Sequence, residues 1–240
     1  MFPVVPWVAA WPLACSSTRR QRSQHPAVSS LGAMDRTPAF AADPATAAYY
    51  DQRAPEYDEW YLGEGNFARR DRPGWSEEVA QVIALVASLP PARTLDVACG
   101  TGFLTRHLRG YVVGIDQSPA MAEIARSRLP AGLAIVGDAL RLPVAERAFD
   151  RVLTGHFYGH LSPAEREAFL AEARRVASEL IVIDSALQPG VSAEQWQQRV
   201  LNDGSRHQVF KRYFTAGQLA GEVGGETLFD GAWFTAARVS

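Results

Sequence analysis

The run Thr94-Leu-Asp-Val-Ala-Cys-Gly-Thr-Gly102 restricts the fold of this 240-residue chain more than any other stretch. Its apolar front half predicts a short buried strand, and Gly100 and Gly102 predict a tight turn that opens into a helix at Phe103. A strand, a glycine turn and a helix in that order belong to a parallel α/β sheet, where the turn offers backbone N–H groups to a small ligand.

Dinucleotide-binding turns need a third small residue where the helix packs on the strand, and Thr105 stands in that slot here. Asp96 points the same way, because a carboxylate in the turn repels a pyrophosphate and attracts an ammonium or sulfonium group. Leu95-Asp-Val-Ala-Cys-Gly-Thr-Gly102, an acidic residue followed by two spacers and a small-Gly-x-Gly run, closely resembles the S-adenosylmethionine-binding motif of class I methyltransferases of the small-molecule, type 11 kind. That resemblance places Asp96, Ala98, Gly100 and Gly102 at the cofactor. It also makes Cys99 a small residue that lets the backbone approach the ligand, not a catalytic thiol.

The later strand ends extend the pattern. Tyr111–Ile115 predicts a strand ending in Asp116, where a Rossmann-like sheet carries an acceptor for ribose hydroxyls. Ser118 and Pro119 predict the cap and first position of a helix from Ala120 to Leu129 that Pro130 closes. Gln117 and Met121 fall beside the path the resemblance implies for the cofactor. A third strand runs from Ala134 to Asp138, and Asp138-Ala139 resembles the family segment that binds the adenine amino group. The fourth strand, Phe149–Thr154, leads into Gly155, counted with the cofactor residues, and Leu180–Asp184 is the fifth. The resemblance covers about residues 46 to 240 and implies a Rossmann-like, doubly wound sheet of seven strands, mostly parallel with an antiparallel edge.

Other elements follow from caps and periods. Ala45–Asp51 and Glu56–Tyr61 resemble the N-terminal helical lid of the family, about residues 46–75, with Tyr49, Tyr50, Tyr57 and Trp60 either packing it or touching ligand. Ser76 predicts a cap for an amphipathic helix reaching Leu89, and Ser162-Pro-Ala-Glu165 is a capping box for a helix to Val176. Ser192–Leu201 reads as a capped helix inside an acceptor-binding insertion at about 185–214, and Thr215 caps a short helix. Thr227–Gly231 and Trp233–Val239 predict a strand pair with an Asp-Gly turn.

Residues 1–45 differ in kind. The prolines of the apolar start and the Ser, Arg, Gln and His that follow predict no packed fold, and the sequence favours Met34 as the true start over a signal peptide. Two cysteines, Cys15 and Cys99, build no disulfide framework, so a cytoplasmic protein is expected. A net charge of −2 leaves no electrostatic footprint for nucleic acid or membrane, and no segment is long enough for a membrane span. A small-molecule methyl acceptor is expected instead.

Methyl transfer from a sulfonium depends on in-line alignment, with a base needed only when the acceptor must lose a proton. His156, Tyr158 and His160 are the candidates for that base, because they follow the fourth strand into the crevice. Thr154-Gly-His-Phe-Tyr158 lacks the Pro-Pro run expected of amino-methylating DNA enzymes. The pair His156 and His160, without a third ligand, predicts no metal site. A silent cofactor-binding module and a nucleotide-dependent oxidoreductase are the alternative readings.

Overall fold

The structure is a computed structural model and describes residues 44–129 and 133–240. Expectations for residues 1–43 and for the Pro130 stop lie outside the described residues.

Along the chain run α1 (Pro44–Arg53), α2 (Glu59–Leu62), α3 (Trp75–Ser88), β1 (Ala92–Val97), β2 (Gly110–Asp116), α4 (Pro119–Arg128), β3 (Ala134–Val136) and β4 (Arg151–Gly155). Next come α5 (Pro163–Val176), β5 (Glu179–Ser185), β6 (Glu194–Val200), β7 (Arg206–Arg212), α6 (Ala216–Val223), β8 (Glu226–Asp230) and β9 (Phe234–Val239). Seven strands form one sheet in the order β3-β2-β1-β4-β5-β9-β8. The first five are parallel, and β9 runs antiparallel to both β5 and β8. Strand order reverses between β1 and β4, so their carboxyl ends open the crevice in which α/β sheets bind ligands.

Successive strand residues alternate between two cores, as the pleat requires. Val152, Leu180 and Val182 pack with Phe169 and Leu170 of α5 and Leu219 of α6. Leu153, Ile181 and Ile183 pack with Val79, Val82 and Val86 of α3. Buried Glu78 of α3 accepts the backbone N–H groups of Ala232, Trp233 and Phe234 at 2.7–2.9 Å, which ties the start of β9 to this helix.

Caps at Ser118, Ser162 and Thr215 form as expected, the last two as complete capping boxes. Three expectations are corrected. No α-helix starts at Phe103, because residues 103–109 are all that separate the loop from β2 and hold only a 3-10 turn, Thr105–His107. The α3 helix starts at Trp75 after a left-handed Gly74, with Ser76 inside its first turn. Trp75 fixes that start by donating its indole N–H to Tyr61 O at 2.8 Å.

The third correction is the largest. The expected helix Ser192–Leu201 is strand β6, paired antiparallel with β7 from Glu194↔Arg212 to Val200↔Arg206 as a separate two-stranded sheet. Buried Lys211 of β7 pairs with Asp184 at the end of β5, and Asp184 also accepts the N–H groups of Gly159 and Ser185 at 2.7 Å. This ribbon therefore hangs from the main sheet beside the crevice.

Candidate functional site

Left-handed backbone shapes the turn after β1: φ is +57° at Ala98, +55° at Gly100 and +76° at Gly102. The turn carries the Gly100 N–H to Asp116 Oδ2 at 2.9 Å, while the other Asp116 oxygen accepts the Ser118 N–H at 2.9 Å. A Cβ on Gly100 would lie 3.2 Å from the Tyr57 ring, and one on Gly102 would press on Ala125 of α4 at 3.4 Å.

Asp96 is buried beneath this turn. One of its oxygens accepts the Thr105 hydroxyl, and the other, Oδ1, has no hydrogen-bond partner among the described residues. Thr105, the residue that displaces a small one from the dinucleotide pattern, thus anchors the acidic side chain. Burial pushes Asp96 up to about 7. Burial likewise pushes Asp116 up to about 6, although the backbone N–H groups of Ser118 and Gly100 favour its charged form. Two buried carboxylates with no ion-pair partner among the described residues are suited to a ligand that brings positive charge and hydroxyl donors.

A cleft of about 550 Å³ opens beside them. Ala98, Gly100, Asp116, Gln117, Asp138, Ala139, Gly155 and His156 line it, together with Tyr50 and Tyr57 from the N-terminal helices. Asp96 faces an adjoining hollow that Ala98, Tyr57 and Gly155 share with the cleft. Gly102 and Met121 line neither; Met121 is fully buried in α4.

The N-terminal segment is fastened over this cleft by polar ties. Asp51 accepts the Ser118 hydroxyl and, at 3.3 Å, the Ala120 N–H. Asp58 accepts the Thr101 hydroxyl and pairs with Arg128 at 2.6 Å. Asn202, at the tip of the β6–β7 ribbon, donates to Glu56 and Glu59 at 2.8–3.1 Å.

Residues 95–179 match the family model described as a methyltransferase domain. The demethylmenaquinone methyltransferase of Thermotoga maritima is 38% identical over 101 residues, which are 40% of this chain and 43% of that enzyme. An uncharacterized methyltransferase of Alkaliphilus oremlandii is 25% identical over 167 residues, 67% of this chain and 75% of that protein. Among solved structures, the fold is similar to that of the DhpI-SAM-HEP complex, with a TM-score of 0.62, 20% identity, and coverage of 82% of this chain and 96% of that one. The chain thus shares the fold of that structure and, over residues 95–179, the sequence pattern of a methyltransferase domain. It spans less than half of the Thermotoga enzyme's length.

Of the three base candidates in this chain, the structure brings only His156 to the cleft. His156 has φ +59° and is boxed by Trp60, Tyr61 and Phe234, with ring centroids at 4.6, 5.6 and 5.3 Å. Burial pushes its imidazole down to about 3, and its Nε2 has no hydrogen-bond partner among the described residues. At neutral pH it is an uncharged ring that is a weak proton acceptor. Tyr158 departs from the expectation: it is buried against Phe169 and Phe214 and does not line the cleft. His160 also lies outside the lining, its Nδ1 donating to Phe210 O at 2.6 Å and Tyr50 packed edge-on against its ring.

No helix among the described residues is long and apolar enough to cross a membrane. Among those residues, no three His, Cys, Asp or Glu side chains come together as a metal site. The aspartates Asp51 and Asp58, which hold the lid, went unrecognised in the sequence because their partners are more than 40 residues away. A carboxylate in an exposed-looking helix carries no local sign of such a bond.

Proposed function

We propose that this chain binds S-adenosylmethionine in the cleft at the ends of β1, β2 and β4 and transfers its methyl group to an oxygen, nitrogen or carbon of a small molecule. The observation that carries the reading is the pair Asp96 and Asp116, buried carboxylates with no ion-pair partner among the described residues, beside a left-handed glycine turn. The similarity of the fold to DhpI, solved as complexes with SAM and with SAH, supports it.

When bound, the cofactor supplies an electrophilic methyl on a sulfonium. Asp116 would accept from the ribose hydroxyls, and Asp138 and Ala139 would border the adenine. Gly100 would let the backbone come close, with Gln117 alongside. Asp96 would balance the cationic amino-acid end. The aromatic residues over the cleft exclude water, so the contribution of the protein is alignment and desolvation. His156, uncharged and hydrogen-bond competent, would orient the acceptor more readily than deprotonate it.

A silent cofactor-binding module would be favoured by a closed crevice. Gly155, His156 and Phe157 instead line the cleft. An oxidoreductase reading needs the dinucleotide turn that Thr105 and Asp96 replace. Calorimetric titration with S-adenosylmethionine, S-adenosylhomocysteine and NADH decides among these, and binding of NADH alone would overturn the proposal.

Asp116→Ala removes the ribose acceptor and the anchor of the Gly100 amide together. Loss of hydrogen bonds to a charged group predicts weaker S-adenosylhomocysteine binding by roughly 2–3 kcal/mol, or about 30- to 150-fold. Unchanged affinity in the same titration would reject the assignment.

Affinity should also depend on pH. Asp116 and Asp96 become charged only as pH rises through about 6 and about 7, and their charged forms suit the ammonium group and the ribose hydroxyls of the ligand. Binding of S-adenosylhomocysteine is therefore expected to tighten between about pH 5 and about pH 8 and then level off. A flat profile across that range would show that these carboxylates do not face the ligand.

A further inference from the structure

A second cavity, about 750 Å³, lies between the N-terminal helices and the β6–β7 ribbon. Its walls hold three guanidinium groups, from Arg53, Arg70 and Arg199. Among the described residues, none of the three pairs with a carboxylate. Arg53 is buried, and among the described residues its one side-chain hydrogen bond goes to the Tyr49 hydroxyl at 2.6 Å. Arg199 donates to Gln197 at 2.6 Å, and its Nε is buried with no hydrogen-bond partner among the described residues. Burial, with Arg199 and Arg53 close by, lowers Arg70 from its ordinary value. The one carboxylate in the lining, Glu56, is engaged by the Asn202 N–H at 2.8 Å.

Elsewhere the buried arginines of this chain meet acids. Arg151 pairs with Glu179 at 2.6 Å and Arg166 with Glu222 at 3.4 Å. Three cations gathered without a counter-charge repel one another, and an incoming anion relieves that repulsion where solvent screening is weak. Guanidinium groups also match the planar geometry of an oxyanion.

The cavity adjoins the cofactor cleft through a wall of tyrosines. Tyr49 lines the arginine cavity, while its neighbour Tyr50, 4.8 Å away ring to ring, lines the cleft. Tyr57 also lines the cleft, with the Arg53 guanidinium 5.0 Å from its ring centre. The packed pair Tyr49 and Tyr50 is the layer between the arginine cavity and the cleft that His156 lines.

We propose that Arg53, Arg70 and Arg199 form the anion pocket of the acceptor site, so that the methyl acceptor carries a carboxylate or a phosphate-type group. This rests on the methyltransferase reading above. The test uses the full chain saturated with S-adenosylhomocysteine, so that only the second cavity is free, and titrates benzoate, phenyl phosphate and benzamide by calorimetry. Benzoate or phenyl phosphate should bind and benzamide should not, and the preferred oxyanion tells carboxylate from phosphate. Arg199→Gln should weaken that binding about tenfold or more while S-adenosylhomocysteine affinity stays within about twofold. Arg70→Gln, at the exposed mouth, gives a second variant should the first fail to fold. Equal binding of benzamide, binding of neither oxyanion, or indifference to both substitutions would overturn the anion pocket. Failure of S-adenosylhomocysteine to bind at all would instead count against the methyltransferase reading, and the same probes without it would still test the cavity.

Discussion

Gly100→Val is expected to abolish S-adenosylhomocysteine binding while leaving the domain folded. The backbone at Gly100 is left-handed, a conformation that costs a residue with a Cβ roughly 1–2 kcal/mol, and β-branching adds to that. A Cβ there would sit 3.2 Å from the Tyr57 ring, in the wall of the cleft proposed to take the cofactor. The substitution also disturbs the amide that Asp116 holds. Strain of this size lowers the melting temperature of a domain this large by roughly 3–8 °C. Affinity, in contrast, should fall below detection in a calorimetric titration that resolves the parent protein. Gly100→Ala should lie between the two. A valine variant that binds like the parent would remove the loop from the site.

Lys211→Met is expected to have the largest effect on stability. The lysine and Asp184 are both buried, and burial lowers the ammonium from its ordinary value even against the pull of the aspartate. Removing one partner leaves Asp184 with only the Gly159 and Ser185 amides, an uncompensated charge deep in the fold. Breaking a buried pair in this way costs about 3–5 kcal/mol, a large share of a total of about 5–15. The melting temperature should drop by roughly 10 °C or more. Adding Asp184→Asn to Lys211→Met should recover part of the loss, because it removes the buried uncompensated charge, although the amide oxygen can accept only one of the two N–H groups. A single variant within about 1 kcal/mol of the parent in denaturant unfolding would show that the pair does not hold the ribbon.

The parts of the fold that could be read from the sequence share one property: their signals are local. Asp96, Gly100 and Asp116 stand at strand ends marked by apolar runs, and Ser118, Ser162 and Thr215 announce helices through a side chain and an amide three residues on. The β6–β7 ribbon was hidden because Glu194-Gln-Trp-Gln-Gln-Arg-Val200 is built from good helix formers and lacks an apolar alternation. Its signal lay in the turn, where Asn202-Asp203-Gly204 favours a hairpin. The arginine cavity was illegible for another reason. Arg53, Arg70 and Arg199 come from three separate stretches, and a basic residue in isolation gives no sign that its partner is missing. Tyr158 and His160 misled because residues after the fourth strand enter a short 3-10 turn that swings them into the core and under the ribbon, leaving His156 alone at the crevice.

Ala98 and His156 sit at the ends of the two strands between which the sheet changes direction, and both hold backbone angles that glycine alone adopts at ease. Such residues cost of order 1–3 kcal/mol each and persist where the surrounding structure fixes them. The sheet is therefore not tuned for greatest stability at its switch point. Glycine at either position would relax the chain but would remove a methyl or an imidazole from the cleft wall. A search for thermostable variants of this domain would be drawn to these two positions first, and would gain durability there at the expense of the shape that the ligand meets.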